Sequence, residues 1–106
     1  KNMTSFDERQ KSFEKKFVMD AELQFKVSAK RNRYLAEWVA IKMGKNDEEK
    51  ENYIKEVIKA DFIEPGDEDV FKKIKSDFER ASIPMQDSEI RNQMKITLDR
   101  AKKDFI

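Results

Sequence analysis

The sequence predicts an all-α protein, a four-helix bundle that carries an N-terminal amphipathic arm. Two observations carry that prediction. The 106 residues include only two glycines and two prolines, too few chain breakers for a protein of strands and turns. Apolar residues recur at three, four and seven positions, the spacing of one helix face. Charged residues make up 42% of the chain, a composition that leans toward disorder, but the periodicity of the apolar positions is the better guide. The length suits one folded unit, divided into an arm over residues 1–20 and a four-helix domain over residues 21–106.

The arm opens with "TSFDERQKSFEKKFVMD". Ser5 is placed to cap a helix, with Glu8 three residues on as in a capping box. Phe6, Phe13 and Phe17 follow at seven and four residues, on one face. Almost everything between them is charged. Asp20 either caps a second helix or is run through by the first. In "AELQFKVSAKRNRYLAEWVAIKM", Leu23, Val27, Tyr34, Trp38 and Ile41 form a stripe, widened by Leu35, Val39 and Met43. From Tyr34 to Met43 only Glu37 and Lys42 are charged, so this half is expected to be the most buried part of the protein. Gly44, flanked by Lys42 and Lys45, is a C-terminal stop.

Asn46 or Asp47 caps the next helix, and acids follow at its positive end. Tyr53, Ile54, Val57 and Ile58 form its inner face, and it ends near Asp61 or Phe62. Glu64, preceding Pro65, is extended. Gly66 supplies a backbone angle other residues resist, and Asp67 can cap a third helix that begins with Glu68 and Asp69. Val70, Phe71, Ile74 and Phe78 share a face there. Pro84 breaks that helix, and Asp87 or Ser88 starts the last. Ile90, Met94, Leu98, Ala101 and Phe105 line its inner side. Short connections make successive helices antiparallel. The last three are expected to form one cluster, while the longest helix carries the arm.

The chain has no cysteine and no histidine. The first absence removes disulfides and thiolate metal sites. The second removes the usual general base and the commonest metal ligand. Carboxylates, lysines, tyrosines or serines would have to do any catalysis, and no Ser-Lys or spaced carboxylate pair stands out. The expectation is therefore no enzyme and no catalytic residue. The acids of "EPGDED" miss the alternating pattern of an EF-hand, so no metal is expected. No run of about 18 apolar residues exists for a membrane span, and no signal-peptide core opens the chain. A cytoplasmic protein is expected.

Net charge is +1 overall, but it is +4 over residues 21–45, −7 over 46–69 and +3 over 70–106. An acidic middle between basic flanks suggests pairing between neighbouring helices rather than a nucleic-acid surface. The run "KRNR" offers Lys30, Arg31 and Arg33, with Tyr34 and Trp38 nearby, as a weak contact for ATP or ADP. The plainer account makes it a solvated helix face lying near the acidic segment. The Phe6, Phe13 and Phe17 stripe is a more distinctive feature. Its helix is marginal alone in water, and such segments order in the groove of a partner. The mixed charges of its polar face make a membrane surface a poorer target.

Three stretches together carry a resemblance: "MTSFDERQKSFEKKF" at 3–17, "LQFKVSAKRNRYLAEW" at 23–38 and "KADFIEPGDEDVFKKI" at 59–74. They resemble the zeta-type inhibitor subunit of the alphaproteobacterial F-type ATP synthase. The resemblance implies a four-helix fold that blocks ATP hydrolysis when the synthase runs backwards. The partners it implies are the alpha, beta and gamma subunits of the catalytic sector. The N-terminal segment would become helical on entering an alpha/beta catalytic interface near gamma, with the bundle as carrier. Carried over by position, the inhibitory arm is Phe6, Asp7, Arg9, Phe13, Glu14, Lys16 and Phe17. The phenylalanines are its anchors, and Arg9, Glu14 and Lys16 set register. The same resemblance implies a free monomer, peripheral to the inner membrane through the synthase, and no cofactor. Poorly inhibiting members differ in the arm. Here Phe17-Val18-Met19 makes its end apolar and helix-competent, so the free arm is expected to be either helical or disordered, and an arm already folded onto the first helix would favour a weakly inhibitory or merely regulatory member. A non-inhibitory adaptor of the same family and a nucleotide sensor using Lys30, Arg31 and Arg33 are the alternatives.

Overall fold

A computed structural model describes residues 21–63 and 66–105 of the chain. Four helices make up nearly all of it: α1 Ala21–Lys42, α2 Asp47–Ile63, α3 Asp67–Arg80 and α4 Asp87–Lys103. The described residues contain no strand. Their boundaries follow from local chemistry. After α1, Gly44 turns left-handed at φ 71°. Its N–H then donates to the Ile41 carbonyl at 3.1 Å and the Lys45 N–H to that of Ala40 at 3.0 Å. That pair of bonds is a Schellman stop.

Of the two expected caps for α2, Asn46 is the one used. The Glu49 N–H donates to Asn46 Oδ1 at 2.8 Å, and the Asn46 N–H donates to Glu49 Oε1 at 3.0 Å. The three-residue spacing to an acid makes this reciprocal box available to Asn46. At α3 the expectation fails. Gly66, at φ 147°, occupies the cap position, and no side chain caps the helix. Asp67 is already helical, and its carboxylate is drawn to Arg31 instead. α3 stops as α1 does, with Ser82 in the left-handed position at φ 57°. The Ile83 N–H reaches back to the Phe78 carbonyl at 2.9 Å.

Contacts between helices fix the topology. Tyr53 meets Asp77 and Glu56 meets Lys73, so α2 and α3 run antiparallel. Glu68 meets Arg91 and Asp87 meets Lys75, so α3 and α4 do too. Asn32 meets Asp61, and Arg33 meets Glu51, which sets α2 against α1. α1 packs on both α2 and α4, closing an up-down-up-down ring.

The main core draws on all four helices: Leu35, Ala36, Val39 and Ala40 from α1, Tyr53, Ile54 and Val57, then Val70, Phe71, Ile74 and Phe78, then Ile90 and Met94. This corrects the expectation that the last three helices cluster by themselves. α1 supplies two alanines at one face, which let its neighbours approach. Trp38 crosses the bundle to stand edge-on to Phe78, with ring centroids 5.6 Å apart. A smaller cluster joins Val27 of α1 to Ala101 of α4, with Leu23, Tyr34, Leu98 and Phe105 around it. Ile41, expected in the stripe, is 68% exposed. The buried face of α1 is turned toward Ala36 and Ala40, small residues that an apolar-stripe count undervalues.

The charge asymmetry is resolved across helices. Acids of residues 46–69 pair with bases of the flanking segments in Arg31–Asp67, Arg33–Glu51, Lys73–Glu56 and Arg91–Glu68.

Candidate functional site

Phe6, Asp7, Arg9, Phe13, Glu14, Lys16 and Phe17 lie outside the described residues. The described structure shows the surface to which that segment is joined. Near the start of α1 and the end of α2, Phe25 and Phe62 come together. An apolar groove of about 360 Å³ results, lined by Ala21, Phe25, Ala29, Ile58 and Phe62, with Asn32 and Asp61 at its polar end. Phe25 is 58% and Phe62 is 70% exposed. Their rings touch edge-on at 6.4 Å. Phe25, Ala29 and Ile58 also border a shallower groove edged by Lys26, Lys30 and Arg33. Sequence reasoning missed Phe25 and Phe62. The available signal was that Phe25 falls eight residues, about two turns, after Phe17.

Two of the motifs meet in space beside this groove. In "KRNR", Arg31 and Asn32 are buried, at 3% and 1% exposure. Arg31 Nε donates to Asn32 Oδ1 at 2.8 Å, and its Nη2 donates to Asp67 at 3.0 Å. Asn32 Nδ2 donates to Asp61 at 2.8 Å. The other Asp61 oxygen accepts the Gly66 N–H at 3.4 Å. The buried pair thus clasps both sides of the Pro-Gly corner, and a buried guanidinium needs such partners. The solvated face expected for "KRNR" is corrected at Arg31 and Asn32, while its nearness to the acidic segment is as expected. Asp61 and Asp67 are engaged by this clasp, and Glu68 by Arg91, which grips it with both nitrogens. Among the described residues no group of three or more acids could hold a metal ion.

The other two cations of "KRNR" point elsewhere. Lys30 lies 3.9 Å from Asp104, and Arg33 lies 3.4 Å from Glu51. Tyr34 donates its hydroxyl to Asp104, and the carboxylate beside it pushes the phenol above its usual pKa. Arg100 stacks 3.8 Å over the Tyr34 ring. Trp38 is spent on Phe78. The three cations do not converge on one another, and each already faces a carboxylate.

A second polar cluster sits between α2 and α3. Asp77, 6% exposed, accepts from Tyr53 at 2.7 Å and Lys73 at 3.0 Å, and from Arg80. Burial alone would raise its pKa, but the three donors hold the carboxyl below its usual value. Burial and the bond to Asp77 push the Tyr53 phenol up. Burial opposes the charge on Lys73, yet Glu56 and Asp77 raise its pKa. Every donor here is matched within the fold, as expected of a buried structural network.

These features define a class. Among the described residues the core draws on all four helices, the buried polar groups are satisfied, and an apolar groove borders the end of α1 to which the arm is joined. That is a binding module. The chain belongs to the family described as ATPase inhibitor subunit zeta, which matches residues 3–104. No curated protein matches the chain. Membership of an inhibitor family supports a role as a regulator associated with an ATPase. No described helix is long and apolar enough to cross a membrane.

Proposed function

We propose that this protein inhibits ATP hydrolysis by the F-type ATP synthase by inserting its N-terminal arm at an alpha/beta catalytic interface near gamma. The arm is a wedge: it arrests rotation and does no chemistry. Phe6, Phe13 and Phe17 act as anchors in apolar pockets. Asp7, Arg9, Glu14 and Lys16 fix register through charge pairs. The four-helix domain carries the wedge, and the assembly is peripheral to the inner membrane on its cytoplasmic side. One observation carries this reading. The family match begins at residue 3 and so includes the arm. The arm is thus part of what the family shares.

Steady-state ATP hydrolysis by the purified catalytic sector, titrated with the full chain, tests it. The full chain should inhibit, and Phe13→Ser/Phe17→Ser should lose at least about tenfold in potency, since truncating hot-spot aromatics costs 2 kcal/mol or more. Undiminished inhibition by the double variant would refute the wedge.

A further inference from the structure

The chain has no cysteine and five methionines, so thioethers are its only sulfur groups. Among the described residues these are Met43, Met85 and Met94, and all three pack in or against the main core. We propose that Met43 and Met85 form an oxidation-sensitive site: peroxide turns their thioethers into sulfoxides, and the sulfoxides loosen the core end of the bundle. The inference stands apart from the function proposed above, because it concerns the stability of the helical domain itself.

Place and burial carry it. Met43 directly follows α1, and its N–H donates to the Val39 carbonyl at 2.9 Å, just ahead of the Gly44 stop. Met85 lies in the connection from α3 to α4, beside Gln86. The Gln86 carbonyl accepts the N–H of Glu89 at 3.0 Å and that of Ile90 at 3.3 Å, so it anchors the first turn of α4. Val27 near the start of α1 meets Ala101 near the end of α4. The end of α1 and the start of α4 therefore share the other end of the bundle, where the main core lies. Met43 and Met85 are half-buried, so solvent reaches each from one side while the core backs the other. Met94, 7% exposed, is shielded, and oxidation follows access.

In the reaction the sulfur lone pair attacks one oxygen of hydrogen peroxide. The O–O bond breaks, an S–O bond forms, and the second oxygen leaves as water. The sulfur loses two electrons and the peroxide gains them. A flexible apolar side chain becomes a polar one. Among the described residues no buried side-chain donor is unmatched. The N–H groups of Met43, Gly44, Lys45 and Ile83 are already given to backbone carbonyls. A sulfoxide oxygen turned inward thus meets no free donor, and an unsatisfied polar group in a core is costly. The side chain turns out to water instead and uncovers the core behind it.

The test treats the full chain with hydrogen peroxide, follows each methionine by peptide mass spectrometry and then measures urea unfolding. Met43 and Met85 should gain oxygen before Met94. The urea midpoint of the oxidised protein should fall by about 0.5–1 M. Met43→Leu/Met85→Leu, a nearly volume-conserving pair of changes, keeps Met3, Met19 and Met94 and should hold its midpoint through the same treatment. Oxygen arriving at Met94 as early as at Met43 or Met85 overturns the proposal. An unchanged midpoint in the oxidised parent also overturns it. So does an equal fall in the double variant, which assigns the effect to the remaining methionines.

Discussion

Asp77 is the residue whose loss should matter most among the polar groups. Its carboxylate is buried and takes three donors from two helices. Asp77→Ala strands Tyr53 and Lys73 in a half-closed interface, and breaking a buried charge network costs about 3 kcal/mol. The effect should depend on pH. The folded carboxyl has a lowered pKa, so its contribution is complete above the unfolded value near 3.9 and fades as pH falls through the folded value. Urea unfolding at pH 7 and at pH 3 should therefore show the gap between parent and variant narrowing in acid. An unchanged gap would mean that packing, not charge, holds the site. Tyr53 acts at the other end of the scale. Its raised pKa means that stability falls as pH climbs past about 10, where the unfolded phenol ionises. Arg31 offers a different asymmetry. Its side chain is 4% exposed, while that of Asp67 is 70% exposed. Arg31→Ala should thus cost about 2–3 kcal/mol through lost packing and lost bonds to the corner, and Asp67→Ala distinctly less. The nearness of "KRNR" to the acidic segment was legible in the sequence, but the burial of Arg31 was not. "KRNR" reads as a solvated basic run, and only the long-range partner, 36 positions on, shows that one of its two arginines faces inward.

At the scale of the helices, the chain was far easier to read. Tyr53, Ile54, Val57, Val70, Phe71, Ile74, Phe78, Ile90 and Met94 were expected inside, and all are buried. Period and stop signals are local, so a single sequence contains them. The errors came where a helix face is chosen by its neighbours. Ile41 points outward, because α1 turns its alanines toward α2 and α4. Asp67 leaves its cap for a tertiary ion pair. Caps that are purely local behave as spacing predicts, and they give the sharpest tests. Asn46→Ala should cost about 1 kcal/mol and Asn46→Gly only a few tenths. A larger loss from glycine would show that the box is not what starts α2. Ser82 is a left-handed residue with a β-carbon, a conformation costing roughly 1–2 kcal/mol. Glycine relieves it but returns about half as entropy in the unfolded chain. Ser82→Gly should therefore raise stability by up to about 1 kcal/mol, read as a higher urea midpoint with an unchanged slope.

Across the whole molecule, stability should be graded along the bundle axis. One end holds the main core, in which Leu35, Val39, Ile54, Ile74, Phe78 and Ile90 are essentially inaccessible. The other end holds the small cluster of Val27 and Ala101 with half-buried neighbours, and beside it lies the open groove. Burial stabilises in proportion to apolar area removed from water, about 25 cal/mol per Å², so the groove end gains much less than the core end. The Arg31 clasp lies at the border between them. Local opening follows such gradients. Native-state hydrogen exchange should find the amides of Leu35, Val39, Ile54, Val57, Ile74 and Phe78 exchanging only by global unfolding. Those around Val27, and near Ala101 in α4, should open at about 2 kcal/mol less. Equal protection at both ends would show a single cooperative unit and no gradient. The arrangement has a functional logic if the arm is the wedge. The end that carries it is the end with the smaller buried cluster, and so with least to lose from rearranging. The core at the far end keeps the carrier folded while it does so, and Arg31→Ala should separate the two by lowering protection around Val27 more than around Ile74.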